Sequence, residues 1–240
     1  MNAPLPGLFV AGTDTGVGKS RVSAAILTLL ARQGLQVAGM KPVAAGCTLI
    51  DGHRINEDAE ALAAASTVSL DPALACPYRL LEAASPHVAA ARESVMIDPG
   101  RIRTAATRIT PQVDLLVVEG SGGWAAPISD RLTMADIAVA LGMPVVLVVG
   151  LRLGCLNHAQ LSAQAIRASG LPLAGWIANT IDPAMTHHDA NVQWLDQALG
   201  APRLGLVDWS PRGEADPSAG LAAVAITALA LRVRAAARRP

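Results

Sequence analysis

Gly12-Thr13-Asp14-Thr15-Gly16-Val17-Gly18-Lys19-Ser20 is the stretch from which the rest of the chain can be read. It follows the apolar run Leu8 to Ala11 and opens a segment with helical periodicity, so it joins a strand to a helix. Gly16 and Gly18 let backbone N–H groups turn inward around phosphate oxygens, and the helix N-terminus that follows favours negative charge. Lys19 can reach terminal phosphates, and Ser20 offers a hydroxyl to magnesium. The match to a phosphate loop is relaxed, because Thr13 stands where the motif usually has its first glycine and Gly12 lies one residue earlier. An ordinary glycine turn is the plain alternative, and the strand and helix on either side favour the phosphate loop.

Outward from that loop, short apolar runs alternate with longer alanine-rich segments. The runs Leu8 to Ala11, Val37 to Met40, Leu115 to Glu119, Val145 to Gly150, Leu173 to Asn179 and Leu204 to Val207 read as strands. Leu115-Leu116-Val117-Val118 and Val145 to Val149 are apolar without alternation, as in parallel strands covered on both faces. Helices are expected over Ser20 to Gln33, Arg101 to Thr110, Met134 to Leu141, Leu156 to Ala168 and His188 to Ala198. Between Ala44 and Pro99 the strand signal disappears, which predicts helices and loops outside the sheet. The expectation is one α/β domain over residues 1–240, with a doubly wound, mostly parallel sheet and helices on both faces, ligands lying beyond the C-terminal strand ends.

Composition narrows the function class. Nineteen basic residues balance nineteen acidic ones, so no global positive field recruits nucleic acid or an anionic membrane. Three widely spaced cysteines, Cys47, Cys76 and Cys155, suit neither a disulfide framework nor a structural zinc site and point to a reducing cytoplasm. No basic stretch leads into an apolar segment at the N-terminus, and the phosphate loop begins too early to leave room for a cleaved signal. The run Leu221 to Val233 is well short of the roughly 20 apolar residues that span a bilayer. It reads as a C-terminal helix, with Arg232, Arg234, Arg238 and Arg239 near its end, where cations are favoured.

Three further segments fall at predicted strand ends. Lys41-Pro42 follows the second strand; a cation there can meet the same phosphates, although an isolated lysine is usually solvated surface. Glu119 ends a buried strand before Gly120-Ser121-Gly122-Gly123, a carboxylate beside a loop flexible enough to approach metal and phosphate. Asp58, in Asn56-Glu57-Asp58-Ala59 at a helix start, reads locally as an N-cap rather than a metal ligand. Asn179 reads locally as a turn former at a strand end. His187-His188 lacks a cysteine partner and reads as solvated, and Cys155 as a small packed residue.

Taken together, the glycine loop, Lys41-Pro42-Val43, Ser85-Pro86-His87, Val118 to Gly123, Leu153-Gly154-Cys155-Leu156-Asn157-His158 and Ala174 to Asn179 resemble the dethiobiotin synthetase family, in order and over nearly the whole chain. The resemblance implies an ATP- and magnesium-dependent cyclo-ligase acting on 7,8-diaminopelargonic acid and CO2. Lys19, Lys41 and Thr15 are then the catalytic residues, and Ser20, Asp58 and Glu119 surround Mg2+. The same likeness assigns the nucleotide to Gly16, Val17, Gly18, Lys19, Ser20, Arg21, Asp58, Glu119, Gly120, Ser121, Gly122, Asn179, Thr180, Asp208, Trp209 and Ser210. It assigns the substrate to Lys41, Ala45, Leu153, Gly154, Cys155 and Asn157, the last four presented by the partner of a homodimer. The free N–H groups opening that helix would hold a carboxylate without an arginine.

Two positions depart from the pattern. Ala45 stands where the family usually has a hydroxyl residue, so a bond to carbamate or amine is missing or supplied elsewhere. Gly16 stands where some members carry an acid. Competing readings fit less well: a corrinoid-type amidoligase carries a glutamine-hydrolysing domain for which this chain is too short, and a partitioning-type ATPase has lysine at the position of Asp14. A GTPase switch would want a lysine that Asn179-Thr180-Ile181-Asp182 lacks.

Overall fold

The computed structural model describes residues 5–210 and 216–237; Arg238 and Arg239 lie outside the described residues. Its frame is a six-stranded sheet in which every pair is parallel. The strand β1 (Gly7–Gly12) runs into the glycine loop and the helix α1 (Lys19–Arg32), after which β2 (Val37–Met40) returns to the sheet. A long excursion follows before β7 (Leu115–Gly123), α6 (Met134–Leu141), β8 (Val145–Leu151), α7 (Cys155–Ala168), β9 (Leu173–Thr180), α8 (His188–Ala198), β10 (Arg203–Val207) and α9 (Ala223–Ala237). All six expected sheet strands are present, and the helices agree with expectation to within a few residues at their ends.

Alternation along β1 explains the two-faced burial. Leu8 and Val10 face one cluster with Val22, Ile26 and Leu30 of α1 and Ile226 and Leu229 of α9. Phe9 and Ala11 face the other, with Ile137 of α6, Ala163 of α7 and Leu195 of α8. Because successive strand side chains point to opposite faces, a strand covered on both sides must be apolar at every position. With so few aromatic residues, aliphatic side chains do most of the packing. The exceptions are Phe9, which meets Trp124 edge-on with centroids 6.2 Å apart, the buried Tyr78, and the fully buried Trp176.

The strand order β10-β9-β8-β1-β7-β2 places β1 between β7 and β8. The chain leaves β1 toward β2 on one side and later returns to β8 on the other, so the crevice opens at the C-terminal end of β1. The glycine loop lies at that switch point.

The region between Ala44 and Pro99 differs from the sequence reading. It stays outside the main sheet and contains α2 (Glu57–Ala65), α3 (Pro72–Ala75), α4 (Pro86–Arg92) and the beginning of α5 (Pro99–Ile109), but it also forms strands. A hairpin joins β4 (Thr48–Ile50) to β5 (His53–Ile55) around Asp51 and Gly52, both with positive φ, and β3 (Val43–Ala44) pairs in parallel with β6 (Tyr78–Arg79). Strands of two or three residues are too short to carry a period-two signal. Two guanidinium groups clamp the hairpin: Arg54 donates to the Arg79 carbonyl at 2.6 Å and Arg79 to the Arg54 carbonyl at 2.7 Å. Arg54 also meets Glu93, the C-cap of α4, at 2.5 Å, which ties the hairpin to that helix.

Among the described residues no helix is long and apolar enough to cross a membrane. All three cysteines are free and buried. Burial pushes the thiol pKa of Cys76 up to about 12 and raises that of Cys47, which keeps both protonated.

Candidate active site

A cleft of about 920 Å³ opens over the glycine loop between the ends of β1, β2 and β7 and the start of α2. Gly16 and Gly18 take the left-handed backbone that the loop requires, with φ of 73° and 84°. Gly18 is the N-cap of α1 and makes no side-chain cap, so the first N–H groups of the helix face the cleft. Lys19 is buried beneath the loop and donates to the Asp14 carbonyl at 2.9 Å. Thr15 and Gly16 are exposed at the rim.

Four groups from distant parts of the chain converge next to Lys19. Ser20 Oγ lies 2.6 Å from Asp58 Oδ1 and 2.8 Å from Glu119 Oε1; with one proton it donates to one carboxylate at a time. Lys41 Nζ lies 2.9 Å from Asp58 Oδ2 and 2.5 Å from Glu119 Oε1. Lys41 is buried rather than solvated, which corrects the plain reading of that isolated lysine. Glu119 is fully buried in the middle of β7, flanked by the neighbours β1 and β2. The strand runs on to Gly123, past the end expected at Glu119, because the glycine segment still pairs with β1.

The local reading of Asp58 as an N-cap is also corrected. The cap of α2 is Asn56, whose side chain accepts from the Ala59 N–H at 3.2 Å. Asp58 therefore lies within the first turn of α2, where its carboxylate is free to reach Ser20 and Lys41. Asn56 lines the cleft too and donates to the Ala45 carbonyl at 3.4 Å. Only its place before Glu57-Asp58 at a helix start hinted at this role.

Electrostatics separate the two lysines. Burial, and then repulsion from Lys41, lowers the pKa of Lys19 to about 8 against the pull of Glu119, Asp58 and Asp14. Burial also opposes the charge on Lys41, but Glu119 and Asp58 outweigh it and hold its pKa above the ordinary lysine value. Asp58 is raised by burial and lowered more strongly by Lys41 and the Ser20 hydroxyl, so it stays ionised below the usual range.

This donor set suits magnesium. Among the described residues no three His, Cys, Asp or Glu side chains gather as a transition-metal site would require. Magnesium asks for less: one or two carboxylates, a hydroxyl, and oxygens from water and phosphate. Asp58, Glu119 and Ser20 would fit as the protein share, and Glu119 Oε2 is a buried oxygen without a hydrogen-bond partner.

The remaining predicted residues divide by position. Ala45, Ser121 and Gly122 line the cleft, with Ser121 Oγ donating to the Val43 carbonyl at 2.5 Å. Gly120 faces the core between Phe9 and Met134 instead. Val17 is buried, and its carbonyl accepts from Asn179 Nδ2 at 2.8 Å, which ties the end of β9 to the loop. Asn179 is itself buried, with Oδ1 unpartnered. Beside it, Arg21 donates to the Asp208 carbonyl at 3.3 Å, and Trp209 and Ser210 follow after β10, the indole half-exposed. Thr180 Oγ1 lies 3.2 Å from His188 Nε2, so His188 is engaged rather than simply solvated.

Leu153, Gly154, Cys155 and Asn157 do not line this cleft. Leu153 and Asn157 are exposed, and the Cys155 side chain is packed in the core at the start of α7. The segment itself carries no arginine. Arg152 immediately precedes it, and its Nη2 lies 2.5 Å from Asp14 Oδ2 in the glycine loop. Neither residue was singled out by the sequence as a contact, because 138 positions separate them.

Comparisons with known proteins bear on this chain at two levels, fold and family. Several solved structures share the fold at low identity: septum site-determining protein MinD from Pyrococcus horikoshii (TM-score 0.54, 16% identity, 95% of this chain and 96% of that one); a chain of the MinC:MinD cell division protein complex of Aquifex aeolicus (0.56, 18%, 95% and 96%); and a ParA family ATPase from Chlorobium tepidum (0.53, 12%, 95% and 98%). A family model described as an AAA domain matches residues 6–216. The ATP-dependent dethiobiotin synthetase BioD of Aromatoleum aromaticum is 52% identical over 201 residues, covering 83% of this chain and 88% of that protein. With a phosphate loop, two buried lysines and two converging carboxylates in one cleft, and a relative this similar over most of its length, the chain belongs to the dethiobiotin synthetase family.

Proposed function

We propose that the cleft closes a cyclic urea on 7,8-diaminopelargonic acid with CO2 and ATP, giving dethiobiotin, ADP and phosphate. Membership of the family carries the ATP-dependent synthetase activity. The observation that supports the assignment of roles is the convergence of Lys19, Lys41, Ser20, Asp58 and Glu119 at the end of the phosphate loop.

In this reading one amine of the substrate takes up CO2 as a carbamate. A carbamate oxygen attacks the terminal phosphorus of ATP, and the bond to the bridging oxygen breaks with ADP leaving. The second amine then attacks the carbamoyl carbon, phosphate departs, and a proton is lost as the ring closes. Lys19 neutralises charge on the transferred phosphoryl, and Lys41, held as an ammonium by Glu119 and Asp58, neutralises the carbamate. Thr15, at the rim, lies beside the reacting groups, and the loop N–H groups align the phosphates.

Ser20, Asp58 and Glu119 would hold magnesium, which when bound offsets phosphate charge during transfer. Asn179, with Arg21, Thr180, Asp208, Trp209 and Ser210 around it, forms the side of the loop where the base would lie. The substrate tail would meet Leu153 to Asn157 of a second subunit, since those residues lie away from the cleft of their own chain.

The test is turnover with the diamine, bicarbonate, ATP and magnesium, following product mass and phosphate release. Phosphate release should require the diamine. Release at the same rate without it would replace this reading with a nucleotide switch of the kind the fold also supports.

A further inference from the structure

Asp14 is the one carboxylate inside the phosphate loop, and each of its acceptor atoms is engaged. Its carbonyl accepts from Lys19 Nζ at 2.9 Å, Oδ1 from the Thr15 N–H at 2.7 Å, and Oδ2 from Arg152 Nη2 at 2.5 Å. The first two donors belong to the set that the proposed function assigns to the phosphates and reacting groups. The third comes from the residue after β8, which packs directly beside β1: Thr13 N donates to the Val148 carbonyl at 3.0 Å, four residues before Arg152.

We propose that Arg152 is a positioning residue for ATP, neutralising Asp14 and fixing the loop so that the nucleotide phosphates meet no uncompensated negative charge. The proposal rests on the reading that the loop binds nucleotide. Polyphosphate brings several negative charges to the loop, and a bare carboxylate one residue from the phosphate-binding amides would repel them. An arginine is permanently cationic and holds a planar fork against a carboxylate, so it both cancels that charge and holds the side chain that receives the Thr15 N–H. Each side chain is 43% exposed, and ion pairs that exposed contribute little to fold stability. Loss of the pair should therefore show in nucleotide binding rather than in folding.

The test compares Arg152→Ala, Arg152→Lys, Asp14→Asn and the double variant Arg152→Ala/Asp14→Asn by ADP and ATP titration calorimetry, steady-state kinetics and thermal unfolding. Arg152→Ala should raise the KM for ATP and the Kd for ADP about tenfold, with kcat and the KM for the diamine changed less than about twofold, and with little change in Tm. Arg152→Lys should recover part of the affinity. Asp14→Asn should restore most of it in the Arg152→Ala background, because the charge that needed cancelling is gone while the amide oxygen still accepts from Thr15. A merely structural arginine would show no such rescue. Wild-type affinity in Arg152→Ala, or a double variant as weak as the single, overturns the proposal while leaving the loop assignment intact, provided that wild type binds ADP and Lys19→Ala does not. Failure of the wild-type protein to bind nucleotide at all overturns both.

Discussion

Gly18 and Asn179 meet where the phosphate loop crosses the end of β9: Asn179 Nδ2 donates to the Val17 carbonyl, and a Cβ built on Gly18 would overlap that same nitrogen. Gly18 also has φ of 84°, whereas Gly16, at 73°, faces open space. Gly18→Ala therefore suffers backbone strain and a clash, and Gly16→Ala the strain alone. Gly18→Ala should cost on the order of 2 kcal/mol more than Gly16→Ala in thermal unfolding and should weaken nucleotide binding further. Equal losses would show that the loop and Asn179 are not packed as described.

Lys19 carries a conflict between function and stability. Its folded pKa of about 8 lies below the ordinary lysine value, so the charged form is disfavoured in the folded protein relative to the unfolded chain. That cost is fully present below pH 8 and fades as pH rises toward the unfolded value, since the folded state releases its proton first. Lys19→Met should abolish turnover yet raise stability at pH 7 by on the order of 2 kcal/mol, an advantage that shrinks between pH 8 and about 10.4. Denaturant titrations at pH 7 and pH 10 measure both values, and a variant no more stable at pH 7 refutes the account.

Glu119→Gln removes a charge on which Lys41 and Ser20 both depend. With Glu119 holding magnesium as proposed, turnover should fall by roughly a hundredfold and need more magnesium to saturate, because the metal's carboxylate and the counter-charge of Lys41 are lost together. An unchanged magnesium titration would remove Glu119 from the metal site.

Ala45 lines the cleft, and its carbonyl is held by Asn56. Ala45→Ser restores the hydroxyl that the family pattern has at this position and should lower the KM for the diamine severalfold, with the KM for ATP unchanged; one hydrogen bond to a charged group is about 1.5 kcal/mol. No change in diamine KM would mean that position 45 makes no substrate contact.

The shared-site reading predicts complementation. Asn157→Ala should weaken the diamine more than ATP. Mixing it with Lys19→Ala should recover about a quarter of wild-type turnover if chains exchange freely into dimers, each hybrid then having one intact site. A fully active monomer in sedimentation at assay concentration would exclude a site built from two chains.

The short strands of the excursion show where reading by pattern stops. Six sheet strands were legible because parallel strands buried on both faces are continuously apolar, a composition signal that survives without any contact information. Val43–Ala44, Thr48–Ile50, His53–Ile55 and Tyr78–Arg79 were not, because two or three residues define no period and their pairing is held by Arg54 and Arg79. Asp58 illustrates the same limit for the site. Local rules made it a helix cap, and the choice of Asn56 instead was settled by the exact start of α2.

By itself the sequence determined the doubly wound architecture and the phosphate loop, since glycine spacing, a lysine-serine pair and apolar runs act through local backbone conformation and burial. Only the tertiary structure decided that Ser20 meets Asp58 and Glu119 across 38 and 99 positions, that Lys41 is buried between those carboxylates, and that Arg152 pairs with Asp14. Those contacts follow from β1 lying between β7 and β8 with β2 beyond, and strand order is set by packing of the whole sheet.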